Sequence, residues 1–286
     1  MTLRLPQRLP TPPRSGRSRP RIGAVQYLNT RPLVHGLAGF GVSLCYDLPS
    51  RLADRLAGGE LDVALIPSIE LFRGEQYRVV SDACIGCRGP VMSVKLFFRT
   101  APERVQSLAV DEGSRTSAAL ARILLAERFG IHPAVEVLPI GAGLAHTSAD
   151  AVLLIGDRAL GMPAGAASFQ VIWDLGDEWC RWTGLPFVFA VWAARADLDA
   201  AAIEPLLARA RDAGRSNLAA IAAAEAAGHG LTVPQCLSYL RDNLHYELGA
   251  GEREALSLFY ALAAKLSLAP ADLDLTASLS TAPLAR

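Results

Sequence analysis

Two rhythms of apolar and polar positions alternate along the middle of the chain. Short apolar runs, "RIGAVQYL", "VSLCYD", "LDVALIP" and "YRVVSDACI", have the β-branched and aromatic content of buried strands. Between them, "SRLADRLAGG" repeats its apolar residues at helical spacing and stops at Gly58 and Gly59. The pattern then recurs. "SLAVDEG" predicts a strand, "SRTSAALARILLAERFG" a helix with a Ser-rich start and a Gly stop, and "AVEVLPI" and "ADAVLLIG" two more strands. Two longer β-prone runs, "VMSVKLFFRT" and "FVFAVWAA", flank this second set, and the chain from Leu198 to Leu266 reads as almost entirely helical.

Strands alternating with helices predict an α/β fold with parallel or mixed sheets. "VQYLNTRPLVHGL" and "VDEGSRTSAALARIL" are both strand, polar junction, helix, and "GELDVALIPSIEL" and "SADAVLLIGDRAL" share a second common plan. Two lobes built alike are therefore expected, residues 21–95 plus 191–286 forming one and residues 96–190 the other. "VMSVKLFF" would cross out of the first lobe and "FVFAVWAA" back into it, two crossing strands making a hinge. A cleft between the lobes, at the carboxyl ends of the strands, is then the ligand site.

Charge and composition narrow the function. The 286 residues balance 28 basic against 28 acidic side chains, which argues against nucleic acid as the main partner. The first 20 residues hold five Arg and no acid, and their Pro, Arg and Ser content predicts a disordered basic extension. The extension has no continuous apolar segment of the kind a secretory signal needs, and nowhere does the sequence approach the ~18 uncharged apolar residues of a membrane span. Of the five cysteines, Cys84 and Cys87 form a Cys-x-x-Cys, but Gly86, Arg88, Gly89 and Pro90 suggest a turn there, and no second pair or His accompanies it. Reduced thiols and no metal are expected.

The polar junctions hold the candidate chemistry. Asn29, between a strand and the helix start "TRPL", reads as a helix cap, an Asx-turn or a ligand contact. Ser93 lies in "GPVMS" at the first crossing. In "GSRTS", Ser114 has the place of an N-cap, yet capping needs one hydroxyl and Ser114, Thr116 and Ser117 supply three, beside free N–H groups at a positive helix end. Arg115 either adds charge there or points to solvent. Ser68, ending "DVALIPS", is the first lobe's counterpart. Gly156 and Asp157 occupy the matching turn of the second lobe, where Asp157 reads as the cap of a helix or as a general base. The five histidines show no metal spacing, and Trp179, Trp182 and Phe187 serve either the cleft or hinge packing.

The ordered set "YLNTRPL", "GELDVALIPSIE", "GPVMSVKLFF", "GSRTSAALARILL", "LLIGDRAL" and "WTGLPFVFAVW" resembles the chorismate dehydratases of the futalosine route to menaquinone. The resemblance runs from about Arg21 to Arg195. It implies a periplasmic-binding-protein-like fold of type II and a lyase that removes water from chorismate to give 3-[(1-carboxyvinyl)oxy]benzoate. Aromatisation supplies the driving force, so neither metal nor redox cofactor is implied. By the same resemblance Asn29 is the functional residue of the Tyr-Leu-Asn motif and Ser93 a second catalytic or orienting group. Ser68, Ser114, Arg115, Thr116, Ser117, Gly156 and Asp157 are then candidate substrate contacts. The implied partner is a small dicarboxylate in the cytoplasm, with neither nucleic acid nor membrane, and a homodimer stays open. Two alternatives remain. A sister enzyme making 1,4-dihydroxy-6-naphthoate carries a motif like Ile-His-Glu where this chain has Ile155, Gly156 and Asp157. A solute-binding protein for small carboxylates would share the fold.

Overall fold

The computed structural model describes residues 19–73, 77–196 and 198–275. Residues 1–18, most of the expected basic extension, lie outside them. The first group of strands is β1 (Arg21–Val25), β2 (Ser43–Asp47), β3 (Val63–Pro67) and β4 (Tyr77–Cys87), with helix α1 (Pro49–Ala57) after β2. The second group is β5 (Val94–Phe98), β6 (Ser107–Asp111), β7 (Ala134–Leu138), β8 (Ala151–Ile155) and β9 (Val171–Asp174), with α2 (Thr116–Phe129) following β6 and α3 (Leu175–Thr183) following β9. The chain continues through β10 (Phe187–Arg195), α4 (Glu204–Ser216), α5 (Leu218–Glu225), α6 (Val233–Ser238), β11 (His245–Glu247) and α7 (Ala250–Lys265).

These strands form two mixed sheets, ordered β11-β4-β10-β3-β1-β2 and β7-β6-β8-β5-β9. In each sheet the early strands run parallel, β1 beside β2 and β3 in one, β6 beside β7 and β8 in the other. β3 and β8 are buried along their whole length, which explains their unbroken apolar sequences. β7 lies at a sheet edge, and its Val135 and Val137 are exposed. The two-lobed α/β architecture expected from the repeated pattern is present.

Sheet membership changes between Cys87 and Val94 and again between Asp174 and Phe187. One carboxylate ties both crossings together. Asp174 caps α3 by accepting the N–H groups of Gly176 (3.0 Å) and Asp177 (3.1 Å), and it also accepts those of Val91 (2.9 Å) and Met92 (2.6 Å) on the first crossing. Met92 has φ +61°, a left-handed backbone that is uncommon outside glycine. Trp179, Trp182 and Phe187 pack at the second crossing. Trp179 is fully buried, donates to the Pro186 carbonyl (2.9 Å) and meets the Phe187 ring edge-on, while the half-exposed Trp182 meets it edge-on as well.

Several local expectations change. The "CIGC" segment is not a turn, because β4 runs through it to Cys87, and Gly86 is required where the Phe187 carbonyl comes within 2.8 Å of any Cβ. β9 and α3 arise from "VIWDLGDEWCRWT", a stretch whose short strand and capped helix leave only a weak periodic signal. The helical tail is interrupted by a π-turn, Tyr239–Asn243, and by β11, which pairs with the edge of β4. Among the described residues no helix is long and apolar enough to cross a membrane.

Candidate active site

The carboxyl ends of β1, β3, β6 and β8 converge on a crevice between the two sheets, where open α/β sheets bind ligands. The first sheet contributes Val25, Tyr27, Asn29, Pro67, Ile85 and Phe189 to its walls, and the second Ser93, Ser114, Thr116, Ser117, Ile155 and Gly156. The space between the atoms is about 510 Å³, open solvent at the mouth included.

Asn29 is not a helix cap. Tyr27 occupies the cap position of the 3-10 turn Leu28–Val34, and Asn29 stands inside that turn at the wall of the crevice. Its amide oxygen accepts from Thr30 Oγ1 at 3.2 Å, which leaves the amide N–H groups for other partners. Across the crevice Ser93 is 1% exposed, and its hydroxyl makes one long contact to the Val91 carbonyl, 3.4 Å. The Ser93 carbonyl accepts the Gly156 N–H at 2.8 Å, joining the first crossing to the end of β8.

The start of α2 supplies the donors. Asp111, fully buried, accepts the Gly113 N–H (3.0 Å) and pairs with Arg158 Nη1 (2.9 Å), so the loop into α2 hangs from a fixed anion. Burial pushes the Asp111 carboxyl up and the Arg158 guanidinium pulls it back down. Ser114 does not cap the helix. Arg115 holds that position without a side-chain bond, and the buried Ser114 hydroxyl has no hydrogen-bond partner among the described residues. A buried orphan hydroxyl beside the first N–H groups of a helix fits an anionic ligand group.

Tyr27 closes the crevice from the opposite lobe. It is 6% exposed, and its hydroxyl likewise finds no partner among the described residues. A Cβ on Gly156 would lie 2.5 Å from its ring, and one on Gly113 would lie 3.1 Å from its hydroxyl. Glycine at both positions lets the ring of one lobe settle on the backbone of the other. Burial pushes the Tyr27 phenol up, so it stays protonated and donates. An aromatic residue after a buried strand reads as core, and nothing in the sequence separates that role from this one.

Three expected substrate contacts turn away from the crevice and onto the seam between the lobes. Ser68 is fully buried, donates to the Val188 carbonyl (2.7 Å) and lies 3.4 Å from Thr116 Oγ1. Arg115 lines the crevice, but its guanidinium is held by Asp54 (2.7 Å) and Glu70 (3.3 Å) of the first lobe and does not point to solvent. Asp157 lies inside the short turn Gly156–Ala159 and caps no helix. Its carboxylate accepts the Leu28 N–H (2.9 Å) and faces His229 Nδ1 (3.4 Å), and it does not line the crevice. Thr116 is divided between the two roles. It lines the crevice, while its hydroxyl accepts the Ile69 N–H at 3.2 Å. Asn29, Ser93, Ser114, Ser117 and Gly156 are brought together as expected.

A family model described as menaquinone biosynthesis matches residues 20–265. The chain is 33% identical over 266 residues to the chorismate dehydratase of Thermus thermophilus, covering 87% of this chain and 96% of that protein. Among solved structures it resembles protein AF1704 of Archaeoglobus fulgidus, with TM-score 0.65, 15% identity and coverage of 88% of this chain and 100% of that one. It also resembles the periplasmic aliphatic sulphonate binding protein of Escherichia coli, with TM-score 0.62, 17% identity and coverage of 93% and 92%. At those identities the structural likenesses establish a periplasmic-binding-protein-like fold and nothing about ligands. The sequence match extends across nearly all of both chains, and the chain belongs to the menaquinone-biosynthesis family.

Proposed function

We propose that the chain is a hydro-lyase that removes water from chorismate to give 3-[(1-carboxyvinyl)oxy]benzoate, a step toward menaquinone by the futalosine route. The reading includes a cytoplasmic setting, which fits its free thiols. Lobe one then holds β1 to β4 with β10 onward, and lobe two holds β5 to β9.

One observation carries the proposal. Asn29 and the hydroxyl-rich start of α2 come from opposite lobes and line one crevice, and no Asp, Glu, His or Lys stands among its lining residues. Such a wall donates hydrogen bonds but offers no strong base. The ring carboxylate of chorismate seats on Ser114, Ser117 and the first N–H groups of α2. The base is the substrate's own enolpyruvyl carboxylate. It reaches the hydrogen on the ether-bearing ring carbon through a six-membered arrangement, and a base held that close has a large effective molarity. As that C–H bond breaks, its electrons form the third ring double bond and expel the hydroxyl from the adjacent carbon. Proton and hydroxide leave together as water. Asn29 and Ser93 donate to the departing oxygen and stabilise the charge that develops there.

Incubating the purified protein with chorismate and following the mixture by chromatography and mass spectrometry tests this. The expected product is aromatic and lighter than chorismate by one water. Chorismate recovered unchanged from a protein that binds it would overturn the enzyme reading in favour of a solute-binding role.

A further inference from the structure

The helical tail sends one polar side chain toward the reaction centre that the mechanism above leaves unused. Tyr239 opens the π-turn Tyr239–Asn243 at the end of α6. Such turns are rare and recur at functional sites. This one is fastened to the first crossing, since Asn243 Nδ2 donates to the Pro90 carbonyl at 2.9 Å, three residues before Ser93. The Tyr239 ring is 2% exposed, and its hydroxyl faces both Ser93 and Asn29. No hydrogen bond to that hydroxyl is formed among the described residues, although the oxygen is sealed from solvent.

A buried hydroxyl without a partner weakens a fold, so its presence calls for a reason. Its neighbours supply one. Asn29 has its amide oxygen committed to Thr30, so its Nδ2 end is the one free to turn toward the phenol. Ser93 has only the long 3.4 Å contact to hold its hydroxyl. Resting on the dehydratase reading, we propose that Tyr239 is a positioning residue that links Asn29 and Ser93 into one hydrogen-bonded chain. Asn29 Nδ2–H donates to the Tyr239 oxygen, and Tyr239 O–H donates to Ser93 Oγ. The second Asn29 N–H and the Ser93 O–H then both point at the departing hydroxyl of the substrate. Burial pushes the Tyr239 phenol up, so it keeps its proton throughout. Successive donors in a chain polarise one another, which makes the terminal Ser93 O–H a better donor than an isolated serine.

Tyr239→Phe is the test, because it removes the oxygen and keeps the ring. Its melting temperature should equal or exceed the parent's. Its kcat on chorismate should fall about tenfold or more while KM stays within about twofold, the pattern of an interaction made in the transition state. Combining it with Ser93→Ala should add little further loss, as members of one chain are not additive. A kcat within about twofold of the parent, a change confined to KM, or full multiplication of the two losses would each overturn the proposal. The parent protein separates the two levels of inference. If it fails to convert chorismate, the dehydratase reading falls and this proposal with it. If it converts chorismate and Tyr239→Phe does so equally well, the role of Tyr239 alone falls.

Discussion

Gly156→Ala tests whether the lobes meet as tightly as the structure describes. Gly156 has φ +62°, and an alanine held in that left-handed conformation costs about 1–2 kcal/mol. The new methyl group would stand 2.5 to 2.6 Å from three carbons of the Tyr27 ring, far inside the ~3.5–4.0 Å of a normal carbon contact. Tyr27 is buried, and relieving an overlap of this kind in a packed site costs about 1–3 kcal/mol. The variant should therefore lose roughly 2–5 kcal/mol and melt about 5–15 °C lower. Because the two residues belong to opposite lobes, the strain falls on the seam, and KM should rise as well. Thermal and urea unfolding of the parent, Gly156→Ala, Tyr27→Ala and the double variant separate the two costs. With the ring gone, only the backbone part, about 1–2 kcal/mol, should remain. A Gly156→Ala protein that melts within a degree or so of the parent, or that loses the same amount with and without the Tyr27 ring, would refute the packing argument.

Three further outcomes are expected. Asn29→Ala should keep the parent's melting temperature, since Asn29 caps nothing, and should lose on the order of 10²–10³ in turnover by product chromatography; parental turnover would remove Asn29 from the mechanism. Burial, aided by Arg88, holds the His245 imidazole below its ordinary 6.5, so the unfolded chain takes up that proton first and stability is lost as pH falls through 6.5. Urea midpoints at about pH 7.5 and 5.5 should therefore differ less in His245→Gln than in the parent, and an identical pH dependence would contradict this assignment. Cys180 is half-buried, and the neighbouring Cys87 thiol holds its thiol down, while burial pushes Cys84 and Cys236 up. Iodoacetamide followed by peptide mass spectrometry should find Cys180 modified ahead of Cys84, Cys87 and Cys236, and equal labelling of Cys84 would count against the Cys87–Cys180 contact.

The lobes were readable because each buried strand writes a continuous apolar run and each helix a 3.6-residue period. The crevice was readable because polar junctions at strand ends are where such sheets bind. What the pattern could not separate was crevice from seam. Arg115 sits on the same loop as Ser114, and Ser68 and Asp157 on strand-end turns like that of Asn29, so they differ from the crevice residues in which way the side chain turns. That direction depends on partners distant in sequence, such as Val188 for Ser68 and Leu28 for Asp157. Tyr239 was out of reach for a similar reason. It lies more than a hundred residues from Ser93, in a tail whose periodicity reports only helix, and the π-turn that aims it has no sequence signature. β9 and β11, of four and three residues, are too short to register a period of two.

The division between seam and crevice bears on how such a protein works. The charges gather at the seam: Arg115 with Asp54 and Glu70, and Arg51 with Glu112 at 3.0 Å. Apart from Arg115, the crevice wall carries hydroxyls, an amide and apolar side chains. Solvent-exposed ion pairs contribute at most about 1 kcal/mol each, so a seam fastened partly by them opens at modest cost. A neutral, donor-rich wall has the complementary property. On the proposed mechanism it would hold a dianion without neutralising it, so the enolpyruvyl carboxylate would keep enough basicity to take a proton. A lysine or arginine aimed at that group would bind it more tightly and lower its pKa, making it the weaker base. By occupying the Arg115 guanidinium with Asp54 and Glu70, the fold engages the cationic side chain that lines the crevice and uses it to bring the lobes together.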